Sequence, residues 1–307
     1  PGHLTEQGMI RVLVLGNAHR AGVLQEAARL LPFIREHAEV VHEDLYQKTD
    51  LTGIEAELTL VLGGDGAILR AARQMGYRQI PVLGINLGRL GFLADLSAEE
   101  FETLFPAIAR GEYRITEHLM FEASQPGGPT WLGLNDIAVQ TGPPFHILDL
   151  DLFVDAENVA TYSGDGLLIS TPIGSTAHSL SAGGVILSQE LEVFAITPIC
   201  PHALTSRPVV DDASKVYTIV VQRGGSHAHL IVDGQESILL GDGGQVQVRR
   251  APVRFKLARA TGRGFYRTLH DKLAWGSQPN YRSELHEASR RTESTASNSP
   301  ATGQGPR

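Results

Sequence analysis

One glycine-rich turn in this sequence carries the residue types that phosphate chemistry requires. The turn Gly63-Gly64-Asp65-Gly66 follows the apolar run Leu58 to Leu62, and an Ala-rich helical pattern follows it. Glycines allow positive φ angles and let backbone N–H groups approach a phosphate closely. A helix that begins here adds the positive end of its dipole to the same anion site. A carboxylate in this position could accept a proton from an attacking hydroxyl or hold a metal ion.

The same four residues have a simpler interpretation, a tight turn in which Asp65 caps the next helix. Short motifs match by chance, so the turn alone leaves both interpretations open. The phosphate interpretation assigns the backbone N–H groups of Gly63, Gly64 and Gly66 to phosphate oxygens, and it makes Asp65 the catalytic residue.

Two stretches further along the chain carry polar groups that suit a nucleoside. Asn135-Asp136 begins an apolar alternating run, and an amide beside an acid can bind an adenine edge and a ribose diol, although a strand-start turn is the commoner explanation. Six hydroxyl residues lie from Ser170 to Ser181, with glycines on both sides. They supply many short donors and acceptors without bulk, and a Ser/Thr-rich surface loop is the alternative.

The elements that would position these residues alternate between strand and helix over the first third of the chain. The predicted strands are Ile10 to Leu15, Val40 to Val41, Leu58 to Leu62 and Ile80 to Ile85. The predicted helices are Leu24 to Phe33, Ala67 to Gln74 and a third that a capping box at Ser97 and Glu100 begins. This alternation predicts βαβ units and a parallel sheet in an α/β domain over residues 9–111.

After Arg110 the pattern changes to short strand-like runs separated by turn clusters. It predicts a β-rich, all-β, sandwich-like domain over residues 112–258. Leu269 and Leu273, four residues apart, predict a helix within residues 259–275, which we expect to pack back on the first domain. Residues 276–307 are rich in Ser, Thr, Asn, Pro, Gly and charge, and this composition predicts a disordered tail.

Size and composition describe an ordinary globular chain of 307 residues, 42% hydrophobic and 20% charged. The net charge of -8 argues against a nucleic-acid partner, which needs a basic surface, but it allows a phosphorylated small molecule. Cys200 is the single cysteine, and the sequence shows neither a membrane-length apolar run nor a signal segment. We therefore expect a cytoplasmic protein without a membrane partner. The 12 histidines lack metal-ligand spacing, so no metal-ligating side chain is assigned.

Five stretches, in this order along the chain, resemble the motifs of the NAD kinases. They are Gly63-Gly64-Asp65-Gly66, the Gly-x-Asn-x-Gly-x-Leu-Gly-Phe-Leu run from Gly84 to Leu93, the pair Asn135-Asp136, the stretch Asp165 to Gly184, and the turn Asp233-Gly234-Gln235. The resemblance covers about Ile10 to Trp275. Lipid kinases and phosphofructokinases carry a similar glycine turn, but all five motifs in this order are specific to one family.

The resemblance implies transfer of phosphate from ATP, or from inorganic polyphosphate, to the 2′-hydroxyl of the adenosine ribose of NAD, which gives NADP. It implies an α/β domain followed by an all-β domain with NAD between them, and a homodimer or homotetramer. Asp65 would accept the hydroxyl proton, and a divalent cation, most plausibly Mg²⁺, would neutralise the developing charge. The residues it assigns to NAD are Asp65, Gly66, Arg70, Asn135, Asp136, His146, Ser163, Asp165, Thr176, Ala177, His178, Ser179, Leu180, Ser181 and Gln235.

Three positions depart from the family pattern. Ala67 stands where the family usually has Thr, Asp136 where Glu is commoner, and His178 where Tyr is usual. A histidine can still stack on a base, and its charge varies with pH. We expect these changes to tune affinity without abolishing the reaction. Two alternatives stay open: a lipid or sugar kinase with the same glycine–aspartate turn, and an NAD-binding sensor with weak or no catalysis.

Overall fold

The computed structural model describes residues 8–46, 48–88, 91–94 and 96–275, and these residues form two β-sheets and five α-helices. The chain divides after Phe265 into two compact units. The first unit holds both sheets and four of the described helices. The fifth helix begins at the boundary between the two units.

The first part of the chain folds as alternating strands and helices. In order, these elements are β1 (Ile10–Gly16), α1 (Val23–His37), β2 (Ala38–Asp44), β3 (Leu58–Leu62), α2 (Asp65–Met75), β4 (Val82–Asn86), β5 (Leu96–Ser97) and α3 (Ala98–Ile108). β1 pairs in parallel with β2 and β3, and β4 pairs in parallel with β3 and β5. Every residue of β3 and β4 is buried, which explains their continuous apolar sequence. The carboxyl ends of β1, β3 and β4 therefore meet at one edge, where such sheets bind ligands.

The helix ends in this part follow local sequence rules. At the start of α3 the Ser97 hydroxyl accepts the Glu100 N–H at 3.2 Å, and the Glu100 carboxylate accepts the Ser97 N–H at 2.9 Å. This capping box confirms the prediction. α2 ends at Gly76, whose φ of 56° is in the left-handed region that suits glycine. α1 continues beyond the predicted end at Phe33 because Ile34 is buried one turn after Leu30.

The second part of the chain is almost entirely strand. In order, these elements are β6 (Arg114–Ser124), β7 (Thr130–Gly133), β8 (Asp136–Thr141), β9 (Leu148–Val154), β10 (Glu157–Gly164), β11 (Gly166–Ser170), α4 (His178–Ser181), β12 (Val193–Ile199), β13 (Val209–Asp212), β14 (Tyr217–Arg223), β15 (Ala228–Val232), β16 (Glu236–Leu239) and β17 (Gln245–Arg259). Six of the strands form a separate sheet in the order β13-β12-β11-β8-β15-β16. The others extend the first sheet, in the order β10-β9-β14-β17-β4-β3-β1-β2, with β6 beside β17.

A shared core lies between the two sheets. Alternate residues of β6, β9, β14 and β17 pack against alternate residues of β8, β11, β12 and β15, as in a sandwich. The long strand β17 also pairs with β4 at Leu257 and Val82, and so joins the β-rich part to the parallel strands. The predicted α/β part followed by a sandwich-like β part is confirmed.

Some short strands escape prediction from the sequence. β13 and β16 are mostly exposed edge strands without an apolar alternation, so no hydrophobic pattern marks them. The predicted last helix forms as α5 (Phe265–Leu273). Its packing on the first domain stays a prediction, as do the domain boundaries at 111/112 and 258/259, and the predicted tail at 276–307 lies outside the described residues. No helix in the described ranges has the length and apolar character to span a bilayer.

Candidate active site

The glycine turn lies at the carboxyl edge of β3 and forms one wall of a cleft of about 700 Å³. Gly63 has a φ of 145°, and α2 begins at Asp65 with Gly64 as its N-cap and no side-chain cap. A Cβ built on Gly64 or Gly66 would meet no atom within 4 Å, so both glycines face open space. The turn therefore leaves its backbone accessible to a ligand, as the phosphate interpretation requires.

Three backbone N–H groups at the start of α2 are available to an anion. Among the described residues, the N–H groups of Gly64, Asp65 and Gly66 have no hydrogen-bond acceptor, whereas Ala67 N–H already donates to Gly64 O at 2.9 Å. The Gly63 N–H donates to Ile85 O at 2.9 Å. The expected donation from Gly63 is thus corrected: the available N–H of this turn comes from Asp65 instead, and Gly63 contributes the bend.

The Asp65 side chain is held by a loop that follows β4. Its Oδ1 accepts the N–H groups of Leu93 and Ala94, each at 3.0 Å, and its Oδ2 accepts the N–H of Phe92 at 2.8 Å. An ionised carboxylate offers about four lone-pair sites, so one site on Oδ2 stays open. Asp65 is partly buried and is not one of the described residues that line the cleft. Its carboxylate is therefore turned toward the loop.

Gly91 makes this arrangement possible. A Cβ built on Gly91 would lie 1.9 Å from Asp65 Oδ1 and 2.7 Å from Asp65 Cγ, far inside contact distance. Gly91 N–H also donates to Ala94 O at 3.0 Å, which closes the loop around the carboxylate. Any side chain at this position would push the Asp65 carboxylate from its three donors.

A second carboxylate, Asp233, holds the predicted adenosine-binding pair in place. It is 6% exposed and accepts the N–H groups of Leu134 at 3.0 Å, Asn135 at 2.8 Å and Asp136 at 3.2 Å. Its own N–H donates to Asp136 O at 2.9 Å. Burial raises the pKa of Asp233, and the three N–H donors oppose that rise. Sequence analysis placed Asp233 in a motif but did not anticipate this anchoring role.

The turn after Asp233 reaches the glycine turn. Gln235 Nε2 donates to Gly66 O at 3.2 Å, and Gln235 Oε1 accepts Arg73 Nη2 at 2.7 Å. Gly234 and Gln235 both line the cleft. One short segment thus connects the Asn135–Asp136 pair to the start of α2, and it fixes the distance between the two predicted halves of the site.

Asp136 is 3% exposed at the first residue of β8. Burial, with the neighbouring charge of Asp233, raises the pKa of the Asp136 carboxyl to about 7. Ser170 lies opposite Asp136 in the antiparallel pair β8–β11, and its buried hydroxyl has no hydrogen-bond partner among the described residues. A carboxyl that is partly protonated near neutral pH can donate as well as accept a hydrogen bond.

Replacing Asp136 with Asn should change the pH dependence of stability. The folded pKa lies above the unfolded value, so the wild-type fold is favoured at low pH and loses stability as the pH rises toward 7. Asn cannot ionise. Relative to wild type, Asp136→Asn should therefore gain roughly 2 kcal/mol of unfolding free energy between about pH 5 and pH 8. Urea unfolding at several pH values measures this difference, and a constant difference would show that Asp136 does not titrate in this range.

The hydroxyl-rich segment uses most of its hydroxyls in hydrogen bonds within the fold. Thr171 Oγ1 donates to Leu134 O at 2.5 Å, Ser175 Oγ to Pro172 O at 2.6 Å, and Thr176 Oγ1 to Ile173 O at 3.1 Å. The Ser179 hydroxyl bonds to the Thr197 hydroxyl at 3.1 Å. The prediction that these hydroxyls are free donors is thus corrected for most of them. They have a structural role and shape the segment from Thr176 to Ser181.

The other residues predicted to bind NAD differ in their exposure and in their contacts. Ala177, His178 and Leu180 are partly exposed, Ser181 is exposed, and burial lowers the pKa of the His178 imidazole. Burial therefore favours the neutral form of the His178 ring. Ser163 Oγ donates to Asp149 Oδ1 at 2.6 Å. A hydrogen bond to the Asp165 carboxylate raises the pKa of the Cys200 thiol. The exposed His146 ring lies 4.5 Å from the His227 ring. None of these residues is among the described residues that line the cleft.

Of the predicted NAD-binding side chains, the cleft thus gathers Arg70 and Gln235. It also brings in Asn17 and Arg20, which sequence analysis missed, and Asn86 and Gly88, which it placed in a motif without assigning them to the site. Asn17 and Asn86 directly follow or end the parallel strands β1 and β4. The rule that such strand ends meet at one edge could have assigned both to the site from the sequence.

The comparisons with known proteins agree along most of the chain. The family model of the ATP-NAD kinase N-terminal domain matches residues 17–113, and that of the ATP-NAD kinase C-terminal domain matches residues 134–260. An NAD kinase of Rhodopirellula baltica is 44% identical over 272 residues, covering 87% of this chain and 88% of that protein. An NAD kinase of Natranaerobius thermophilus is 36% identical over 285 residues, covering 88% and 100%.

Two solved structures share the fold. The yeast NADH kinase complexed with NADH matches with a TM-score of 0.82 and 22% identity over 90% of each chain. An NAD kinase from Archaeoglobus fulgidus in complex with ATP matches with a TM-score of 0.71 and 27% identity, covering 86% of this chain and 99% of that one.

The fold, the accessible start of α2 and these matches define a phosphotransferase that acts on an alcohol group. The chain belongs to the NAD kinase family, whose members phosphorylate NAD to NADP. The resemblance found in the sequence is confirmed, and the lipid- or sugar-kinase alternative is removed.

Proposed function

We propose that this chain transfers the terminal phosphate of ATP, or of inorganic polyphosphate, to the 2′-hydroxyl of the adenosine ribose of NAD. The observation that carries the proposal is the start of α2, where three successive N–H groups have no acceptor among the described residues. Gly64 and Gly66 line the cleft, and the first helical side chain is a carboxylate. Preorganised N–H donors stabilise the charge that spreads over a transferring phosphoryl group. The backbone of Gly64, Asp65 and Gly66 performs this task.

Asp65 acts as the proton acceptor through Oδ2. Two N–H groups occupy Oδ1 and one occupies Oδ2, so the remaining lone pair on Oδ2 is the atom that the 2′-hydroxyl meets. The three donors fix the carboxylate in one orientation, and such positioning matters more than basicity for a loose phosphoryl-transfer transition state.

Mg²⁺ fits this chain as an ion that binds together with the phosphate donor. The described residues contain no group of three or more His, Cys, Asp or Glu side chains placed to hold a metal ion, and the charged side chains lining the cleft are arginines. Mg²⁺ commonly binds through substrate phosphates. When bound, it neutralises the charge of the phosphates. The chain's own contribution is the N–H groups that orient them.

The acceptor lies on the β-rich side of Asp65. Asn135 and Asp136, fixed by Asp233, bind the adenosine edge and ribose hydroxyls, and the segment from Thr176 to Ser181 lines the rest of the dinucleotide site. His178 supplies a neutral ring that stacks on a base. His146, Ser163 and Asp165 are not among the described residues that line the cleft, and we assign them to the far end of the dinucleotide. We also propose a cytoplasmic homodimer or homotetramer.

A coupled assay tests the function. The purified chain is given NAD, ATP and Mg²⁺, and NADP is detected with an NADP-specific dehydrogenase. We expect NADP to accumulate only when both NAD and a phosphate donor are present, with polyphosphate and NADH tested as separate replacements. NAD binding in a calorimeter without any NADP formation would instead support the sensor alternative.

A further inference from the structure

The last residue of β17 is an arginine, Arg259, at the edge of the sheet where β4 also ends. β17 pairs in parallel with β4 at Leu257, so the two strands run toward the same edge. Leu257 packs in one buried cluster with Leu93 and Ala94, which belong to the loop after β4 that holds the Asp65 carboxylate. Side chains two residues apart on a strand share a face, so Arg259 is directed toward the same loop.

The Arg259 guanidinium contacts this loop through one peptide group. Arg259 Nη2 lies 3.4 Å from Phe92 O and 3.4 Å from Gln189 Oε1. The Phe92–Leu93 peptide bond is trans, so its carbonyl oxygen and its N–H point in opposite directions within one plane. The N–H end of the same peptide group donates to Asp65 Oδ1 at 3.0 Å. One rigid planar unit therefore connects the guanidinium to the proposed base.

A cation at the carbonyl end of this peptide group has two effects on Asp65. It polarises the peptide group, so the Leu93 N–H becomes a stronger donor, because hydrogen bonds in a chain polarise one another. It also fixes the peptide plane, since a rotation would break the contacts at both ends. Arg259 is partly buried, and water and salt screen its charge less than they screen a surface charge. The contact thus holds Oδ1 and leaves the open lone pair of Oδ2 in a fixed direction.

A buried histidine fixes the segment that holds the other side of the guanidinium. His118 Nδ1 lies 3.1 Å from Gln189 O, and a carbonyl oxygen can only accept, so Nδ1 carries a proton. Burial lowers the pKa of His118, and the charge of Arg259 lowers it further, which favours the neutral ring. In that form Nε2 accepts the Thr116 hydroxyl at 2.9 Å. The neutral ring therefore holds Gln189 without placing a second positive charge beside Arg259.

The segment that carries Gln189 also contacts the hydroxyl-rich segment. Leu187 N–H donates to Ser175 Oγ at 3.1 Å, and the Ser175 hydroxyl donates to Pro172 O at 2.6 Å. Leu187 and Gln189 are both buried. The segment is thus fixed at one point to the part of the chain that we assign to the dinucleotide and at another to Arg259.

From these contacts we propose that Arg259 is a positioning residue for the reaction, which orients the Asp65 carboxylate through the Phe92–Leu93 peptide group. The inference rests on the proposed function and deepens it, because it adds a residue that sets the direction of the base without touching a substrate. Arg259 is not among the described residues that line the cleft. Its loss should therefore affect turnover and not the binding of either substrate.

Replacing Arg259 with Ala tests this role in steady-state kinetics. We expect kcat to fall about tenfold, as for a small misplacement of a reacting group, with the KM values for NAD and ATP unchanged. Arg249→Ala is the matched control on the same strand. Arg249 Nε donates to the buried Glu122 Oε1 at 2.7 Å, so its loss lowers stability, but it should leave kcat unchanged. An equal fall of kcat in Arg249→Ala, or a rise in KM at constant kcat in Arg259→Ala, would overturn the proposal.

Conservative replacements separate positioning from a general loss of packing. Arg259→Lys keeps a charged nitrogen that can lie between the two oxygens, so its kcat should stay within about threefold of wild type. Arg259→Gln keeps a donor without the charge and should lower kcat by an intermediate amount, which preserves the test if Arg259→Ala does not fold. Adding Arg259→Ala to Asp65→Asn should lower kcat by no more than about twofold further. A lysine variant as slow as the alanine variant, or losses that multiply with Asp65→Asn, would exclude a role through the carboxylate.

Amide hydrogen exchange of Leu93, measured by NMR without substrates, distinguishes this inference from the proposed function. We expect the Leu93 amide to exchange about tenfold faster in Arg259→Ala than in wild type, with Arg249→Ala close to wild type. This result would support the contact even if the wild type formed no NADP, an outcome that would refute only the proposed function. If the wild type is an active NAD kinase and Arg259→Ala changes neither kcat nor Leu93 exchange, the positioning role is wrong and the function stands. A fall of kcat with unchanged Leu93 exchange would also refute the proposed route.

Discussion

Asp65→Asn should lower kcat by about 10²- to 10⁴-fold, the usual contribution of a positioned general base. Asn has no negative charge to accept the 2′-hydroxyl proton. It also presents an NH₂ group where the carboxylate accepts N–H groups, so at least one of Phe92, Leu93 and Ala94 loses its acceptor. NAD should still bind, because Asp233 holds Asn135 and Asp136 independently. Steady-state kinetics and NAD calorimetry measure the two effects separately.

The matched control for this variant is Asp242→Asn. Asp242 also caps a backbone N–H, that of Gly225 at 2.6 Å, but it lies outside the cleft. It should leave kcat unchanged. If Asp65→Asn also keeps near-wild-type turnover, Asp65 is not the base.

Gly91→Ala should have the second-largest effect, although it adds one methyl group. The new Cβ would collide with Asp65 Oδ1, and Gly91 does not have a positive φ, so the damage comes from that collision and not from the backbone. We expect kcat to fall about 10²-fold and the unfolding free energy to fall by about 1–3 kcal/mol, as for overpacking. Kinetics and urea unfolding on the same preparation report both.

Two comparisons make the Gly91 result specific. Gly53→Ala adds a methyl group in open space and should change neither quantity. In the double variant Asp65→Asn with Gly91→Ala, kcat should be close to that of Asp65→Asn alone, because both changes act through one carboxylate. If the fold-losses in kcat of the two single variants multiplied in the double variant, Gly91 would act by another route.

The parallel half of the fold could be predicted from sequence because its signals are local. β3 and β4 are buried on both faces and appear as unbroken apolar runs, while Ser97 and Glu100 lie within one helical turn. β13 and β16 could not be predicted in this way. They are exposed edge strands, and their pairing with β12 and β15 depends on partners distant in sequence.

The site was predictable in its residue types but not in its contacts. The sequence identifies Asp65, yet its three N–H donors come from residues 27–29 positions later, and only the fold brings them there. The hydroxyls near Thr171 and Ser175 suggested free donors, whereas the folded segment uses them to hold its own turns. No local signal places Arg20 in the cleft, because its position there depends on α1 and α2 beginning at the same cleft.

The central claim is that Asp65 Oδ2 stands between an acceptor hydroxyl and a donor phosphate held by the start of α2. A crystal structure with NAD and a non-hydrolysable ATP analogue measures this directly. The account predicts the adenosine 2′-oxygen about 2.6–3.2 Å from Asp65 Oδ2, with the terminal phosphate on the N–H groups of Gly64 and Gly66. A 2′-oxygen that lies far from Asp65 while both ligands are fully bound would contradict it.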